Sequence, residues 1–185
     1  MKKRLFIGVK IEASPELTSL TEKLKNIFGN SDITWVVAGN LHITLMFLGD
    51  VGSEMIPDII HKLKTIEFSS FPFEATLENL GKFSKNRQTN VIWIGYKDEG
   101  QLENLAGKVN VKMLELGFKP DQRSFKAHLT LGRVKRKIDE NLLNSLIHKY
   151  QNLQFQNFKV SEFILFESIL KQEGPIYMQI DRIKL

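Results

Sequence analysis

The 185-residue sequence contains no cysteine, which removes disulfides, thiol nucleophiles and thiolate-held zinc together. That absence suits a reducing compartment, and a cytoplasmic protein is the expectation. Long apolar runs are also missing. Behind Met1-Lys2-Lys3-Arg4, the run Leu5-Phe6-Ile7-Gly8-Val9 ends at Lys10, too short for the core of a signal peptide. No stretch approaches the roughly 20 apolar residues that cross a bilayer as a helix. Proline is sparse, and no flexible or low-complexity linker divides the chain, so a single domain over 1–185 is expected. The 26 basic and 21 acidic residues leave a net charge of +5, which favours an anionic partner without establishing one.

Strand and helix signals alternate along what is there. Arg4 to Ile11 is a β-rich apolar run. Ser14-Pro15-Glu16 reads as an N-cap, a first-turn proline and an early acid, opening a helix with Leu17, Leu20, Leu24 and Ile27 on one face and a stop near Gly29. Further strands are predicted at Ile33–Val37, Leu41–Leu48, Phe71–Leu80, Asn90–Tyr96 and Ser124–Val134, and near Leu153–Phe158, Val160–Leu170 and Ile176–Lys184. Helices are predicted from Ser53 through Ile66, over Leu102–Leu116 and from Asp139 to Tyr150. Gly81 to Thr89 reads as a long polar loop, and Gln172-Glu173-Gly174-Pro175 as a turn. Strands interleaved with helices and mostly joined by hairpins indicate α+β architecture. The order suggests an imperfect duplication: two pseudo-symmetric lobes, each an antiparallel sheet with helices on its outer face, around a central cleft.

Of only four histidines, two share a frame: Leu41-His42-Ile43-Thr44-Leu45 and Ala127-His128-Leu129-Thr130-Leu131, 86 residues apart. Side chains alternate faces along a strand, so each frame presents one imidazole beside one hydroxyl, with apolar residues on the other face. Near neutral pH one imidazole can be protonated while its partner is not. One then takes a proton from water while the other gives one to a leaving oxygen, as cleavage of a phosphodiester requires. The threonine hydroxyls can donate to the non-bridging oxygens. Neither frame has Cys, Asp or Glu at ligand spacing, so no metal is expected. His61 and His148 read as ordinary solvated helix residues.

The two frames with their flanks, Asn40 to Asp50 and Phe125 to Arg133, resemble the 2H phosphoesterase superfamily, and within it the RNA 2′,3′-cyclic phosphodiesterases, the "2′-5′ RNA ligase" family. Arg4-Leu5-Phe6-Ile7-Gly8-Val9 is similar to that family's opening strand. Leu165 to Leu170 with Gly174 to Tyr177 is similar to its terminal hairpin. Ala127 departs from the proline often found before the second histidine. The resemblance implies a bilobal fold and metal-independent hydrolysis of RNA 2′,3′-cyclic phosphate ends to 2′-phosphomonoesters, with 2′-5′ ligation as the reverse chemistry. It implies His42 as general acid, His128 as general base, and Thr44 and Thr130 as phosphate ligands. No cofactor is implied, and the expected partners of a monomer are RNA ends or small cyclic nucleotides, not a membrane.

Arg133 is a further candidate phosphate ligand, although strict alternation from His128 points it away unless the strand ends or bulges. Trp35 and Phe47 are candidates for base stacking that read more readily as core. Lys82, Lys85 and Arg87, with Lys135, Arg136 and Lys137, are candidate backbone contacts or merely a solvated face. A phosphate-binding accessory protein without turnover is the alternative from another class. A 2H enzyme for a different cyclic phosphate or a 2′-5′ oligonucleotide is the alternative within this one.

Overall fold

The computed structural model describes residues 1–119, 126–171 and 174–184. Its elements run β1 (Lys2–Lys10), α1 (Pro15–Phe28), β2 (Ile33–Trp35), β3 (His42–Gly52), α2 (Ile56–Lys64), β4 (Phe73–Lys85), β5 (Gln88–Lys97), α3 (Gln101–Leu114), β6 (Leu129–Val134), α4 (Glu140–Lys149), β7 (Gln154–Val160), β8 (Glu162–Lys171) and β9 (Gly174–Lys184). The fold is α+β and antiparallel throughout the pairings described. No helix among the described residues is long and apolar enough to cross a membrane.

The helix signals act as expected. Ser14 accepts from the Leu17 amide and Asp139 from that of Leu142, each satisfying an otherwise orphaned donor, worth about 1 kcal/mol. α1 buries Leu17, Leu20 and Leu24, while Ile27 stays exposed. Burial of each such leucine contributes roughly 1.5–3 kcal/mol, so packing rather than propensity holds the helix.

The strands form one sheet in the order β7-β4-β5-β6-β3-β1-β8-β9, with β2 on β6. The two lobes expected from the sequence are therefore halves of a continuous sheet, β3-β1-β8-β9 and β6-β5-β4-β7. Among the described residues they are joined at one residue pair, Ile43 with Leu129. The halves also exchange strands. β4, from the first part of the chain, pairs with β5 in the second half, and β8 returns to pair with β1 in the first. All four helices contribute to a single core cluster with strand residues of both halves, including Leu17, Ile59, Val109, Leu143, Leu5 and Leu77. The helices thus cover one face and leave the other to the histidines.

Several boundaries differ from expectation, among them the second frame's strand, which begins at Leu129 and leaves His128 immediately before it. The long polar loop over Gly81 to Thr89 is in fact β-hairpin: the strands continue to Lys85 and Gln88, and only Asn86 and Arg87 turn, both with φ near +60° (53° and 63°). Such a two-residue turn matches the strand twist, and asparagine tolerates it well. The second helix begins at Ile56 after a 3₁₀ turn at Ser53–Met55. β3 runs past Gly49, which takes φ +75°, to Gly52. Ser124 and Phe125 of the second frame's predicted strand, and Gln172 and Glu173 of the predicted turn, lie outside the described residues.

Candidate active site

The bridge described between the halves sits inside the two histidine frames. Ile43 and Leu129 face each other there and are wholly buried, so their neighbours emerge on the opposite face. His42, Thr44, His128 and Thr130 are all partly exposed on it. The charge of His128 acts on His42, so the two frames lie close together at this bridge. A pseudo-two-fold axis passes between Ile43 and Leu129. The two frames therefore meet at the seam between the two halves of the sheet.

Each ring is anchored the same way. The Nδ1–H of His42 donates to the Asn40 carbonyl at 2.7 Å, and that of His128 to the Lys126 carbonyl at 2.6 Å. A carbonyl only accepts, so Nδ1 must carry a proton and Nε2 is left as the nitrogen that can gain or lose one. Asn40 is itself fixed, its side-chain amide donating to the Pro175 carbonyl at 2.7 Å and so tying the first frame to the start of β9.

Aromatic rings line both sites, a feature the sequence reading missed. His42 lies 4.8 Å from the Phe6 ring and 5.0 Å from Tyr177, edge-on, with Phe166 behind. His128 lies 4.8 Å from Phe83, again edge-on, and 6.4 Å from Trp93. The alternation of Phe6 with Gly8 on β1, and the register of Trp93 with Thr130, place these rings on the histidine face. Their common signal was an aromatic in the strand paired with each frame. Burial among these rings pushes both imidazoles below the usual histidine value. The carbonyl bonds oppose that shift, and the positive charge of Arg133 adds to it at both rings. His128 lowers His42 further.

Arg133 reaches this face because the strand bulges. Trp93 pairs with Thr130 but Ile92 with Gly132, so Leu131 is an extra residue. Leu131 is buried, and a Cβ on Gly132 would strike Ile33 and Trp35 at 2.7 and 2.9 Å, so both positions face the core. Alternation then restarts with Arg133 on the side of the histidines. The first frame does the same: Gly8 pairs with Thr44 and Ile7 with Met46, Leu45 is extra, and Leu45 and Met46 are both buried. This returns Phe47 to the histidine face, 63% exposed, and corrects its reading as core. The two consecutive apolar residues, Leu45-Met46 and Leu131-Gly132, were the visible signal in the sequence.

The other candidates separate cleanly. Trp35 packs against the core and its indole donates to the Gly29 carbonyl at 2.8 Å. Lys82 is paired with Glu140 at 2.6 Å, while Lys85, Arg87, Arg136 and Lys137 are exposed. His61 and His148 are exposed on helices. Among the described residues no three His, Asp or Glu side chains cluster as metal ligands would.

Comparison with known proteins supplies the family. The model of the LigT-like phosphoesterases matches residues 7–93 and again 94–177, once for each half of the chain. An RNA 2′,3′-cyclic phosphodiesterase of Archaeoglobus fulgidus is 41% identical over 181 residues, 96% of this chain and 97% of the relative. One from Methanothermobacter thermautotrophicus is 30% identical across the full length of both. A crystal structure of a Thermus thermophilus protein superposes with a TM-score of 0.79 at 25% identity, over 98% of this chain and 97% of that one. Escherichia coli LigT complexed with 3′-AMP shares the fold, with a TM-score of 0.78 at 23% identity over 100% and 99% of the two chains. Two matches to one family model, full-length relatives and a sheet closed at paired histidine frames agree: the chain belongs to the LigT-like phosphoesterase family.

Proposed function

We propose that this protein hydrolyses the 2′,3′-cyclic phosphate ends of RNA to 2′-phosphomonoesters, with His42 and His128 as a general acid–base pair. The observation that carries the reading is the seam itself: two imidazoles on one face, each with Nδ1 held by a carbonyl and Nε2 left to gain or lose a proton. The names of the relatives support the substrate class.

In this scheme His128 Nε2 takes a proton from water as its oxygen attacks phosphorus. The bond from phosphorus to the 3′-oxygen breaks, and His42 Nε2 delivers a proton to that oxygen. The product carries a 2′-phosphate and a 3′-hydroxyl, and proton exchange with solvent resets the pair. Thr44 and Thr130 donate to the non-bridging oxygens, and Arg133 supplies the positive charge that the displacement needs. Among the described residues no carboxylate lies within 4.0 Å of its guanidinium, whose planar donors suit a phosphate.

The acid must enter protonated, although burial, Arg133 and His128 all depress its affinity for a proton. The phosphodiester provides the missing counter-charge, so His42 gains its proton as substrate binds. With a 5′-hydroxyl in place of water the same step forms a 2′-5′ linkage. The test is incubation with a 2′,3′-cyclic nucleotide in EDTA, with the product isomer identified by phosphorus NMR. Turnover to the 2′-phosphate that disappears in both His42→Ala and His128→Ala is expected. A 3′-phosphate product, or near-normal rates in either variant, overturns the mechanism. Binding of cyclic-ended RNA without any hydrolysis would instead favour a phosphate-binding accessory role.

A further inference from the structure

The two frames run in parallel until the fifth residue beyond each histidine, where Phe47 stands on one and Arg133 on the other. Equivalent bulges put both on the histidine face, so the pseudo-symmetry breaks here into a ring and a cation. The Phe47 ring is 63% exposed, and its neighbour Phe6 is tilted at 45° and 6.0 Å rather than stacked on it. Behind Phe6, Phe166 is stacked at 4.9 Å and 14°, and Tyr177 packs edge-on at 4.9 Å. An exposed ring on a rigid aromatic base, continuous with His42, is a surface for another π system.

The same strand carries a cation further out. Along β1, alternation places Gly8, Phe6 and Arg4 on this face, with Phe6 paired to Phe47. Arg4 is exposed, and its charge acts on Tyr177. The adjacent Lys3 points the other way and is tied to Glu167 at 2.7 Å. Asp50 is the cross-strand partner of Arg4, yet among the described residues no carboxylate lies within 4.0 Å of the guanidinium. Read outward from His42, the half-sheet therefore offers an imidazole, then a ring, then a cation about two residues, or 7 Å, beyond the ring's strand partner.

We propose that this half of the sheet is a subsite for the terminal nucleotide of an RNA strand, with Phe47 stacking its base and Arg4 pairing with the phosphate on its 5′ side. This rests on the assignment of the acid to His42. The leaving 3′-oxygen belongs to the terminal ribose, so the body of the RNA must lie on the side of the residue that protonates that oxygen. The Arg133 side is left for the phosphate and the attacking water. The consequence is selectivity for an RNA end over a cyclic phosphate that lacks a base or an upstream phosphate.

Binding and turnover are measured separately, so that failure of the subsite and failure of the hydrolytic reading can be told apart. The probes are a trinucleotide ending in a 2′-phosphate, for affinity, and its 2′,3′-cyclic form, a cyclic mononucleoside phosphate and glycerol 1,2-cyclic phosphate, for turnover. Phe47→Ala and Phe47→Leu should both weaken trinucleotide binding about 5- to 100-fold, as loss of one base–aromatic stack does, while Phe47→Trp retains it. Arg4→Ala should reduce the slope of log affinity against log salt by about 0.7 for the trinucleotide. It should leave turnover of a mononucleoside cyclic phosphate without a 5′-phosphate unchanged. Lys3→Ala, on the opposite face, controls for net charge and should leave the slope as it was. Trinucleotide affinity retained in Phe47→Leu, or a slope that falls equally in Arg4→Ala and Lys3→Ala, overturns the subsite. Loss of turnover with these binding effects intact would count against the hydrolytic reading alone.

Discussion

Gly8→Ala is the sharpest test of how backbone packing sets the site. A Cβ at this position would sit 2.8 Å from the Ile43 carbonyl oxygen and 3.5 Å from Cδ2 of His42. The first contact is with backbone, so no rotamer change relieves it. β1 and β3 must separate by about half an ångström to reach ordinary van der Waals distance, the kind of overpacking that costs about 1–3 kcal/mol. For a chain of this size that lowers Tm by about 2–4 °C per kcal/mol. The displaced residue is also the one that makes the only described bridge between β3 and β6, through Leu129. Movement there changes the spacing of the two histidines, and misplacement on the ångström scale can cost about 10²-fold in rate. Activity is therefore expected to fall by more than the stability loss accounts for, measured as kcat/KM on a cyclic nucleotide well below the variant's Tm. Gly107→Ala is the control: its Cβ meets nothing within 4 Å on the exposed side of α3, and the change should stabilise by up to about 1 kcal/mol. A Gly8→Ala protein that melts and turns over like the parent refutes the reasoning.

His42→Ala and His128→Ala should each lower kcat by about 10²–10⁴-fold, with far-ultraviolet circular dichroism unchanged. Because both imidazoles titrate below their usual value in the empty site, kcat/KM should peak on the acid side of pH 6.5, and the profile of kcat should move to higher pH as bound phosphate favours the charged forms. The same depression makes the unfolded chain bind more protons than the folded one, so the stability these groups confer is present above about pH 6.5 and declines as pH falls through their folded values; replacing both with glutamine should flatten that slope in urea titrations. Arg133→Lys should not restore the activity lost in Arg133→Ala, since an ammonium lacks the planar pair of donors; equal rates for Lys and Arg would show that charge alone suffices. Glu140→Ala removes the acceptor for the Thr89 amide and hydroxyl, at 2.8 and 2.9 Å, in a residue only 5% exposed, and should cost about 1–3 kcal/mol in denaturant unfolding.

Much of the architecture was legible because local signals and packing agree. Ser14-Pro15-Glu16 begins α1 as its chemistry demands, and Asp139 caps α4. The histidine frames were legible because Ile43 and Leu129 are buried and force their neighbours outward. What was hidden is non-local. Nothing in either frame shows that Ile43 and Leu129 are partners, since strand pairing depends on the whole sheet closing. Nor does β4 show that it belongs with β5 rather than with the repeat that precedes it. Arg133 meets the condition set for it, since the strand does bulge, whereas Phe47, which reads more readily as core, is carried to the outer face by the equivalent bulge. At both positions the leucine after the threonine and its neighbour face the core together, and counting them as one step gives the faces that the structure has.

Those twin bulges bear on how a duplicated frame can support an unsymmetrical reaction. The displacement proposed above needs a leaving oxygen on one side of phosphorus and water on the other, so a perfectly two-fold site would have no preferred direction. The backbone keeps the two-fold: the same ring anchoring, the same extra leucine after the threonine and the same return to the outer face. Side chains then break it at positions where the fold places no demand. An exposed phenyl at 47 and an exposed guanidinium at 133 could be exchanged without disturbing the core, because neither is part of it. A swap variant carrying Phe47→Arg and Arg133→Phe should thus fold with a Tm within a few degrees of the parent. If the direction of the reaction resides in these two side chains, the swap should lose far more in kcat/KM on RNA ends than in stability. A swap with unaltered kinetics would place the asymmetry elsewhere, in the unequal aromatic surroundings of His42 and His128.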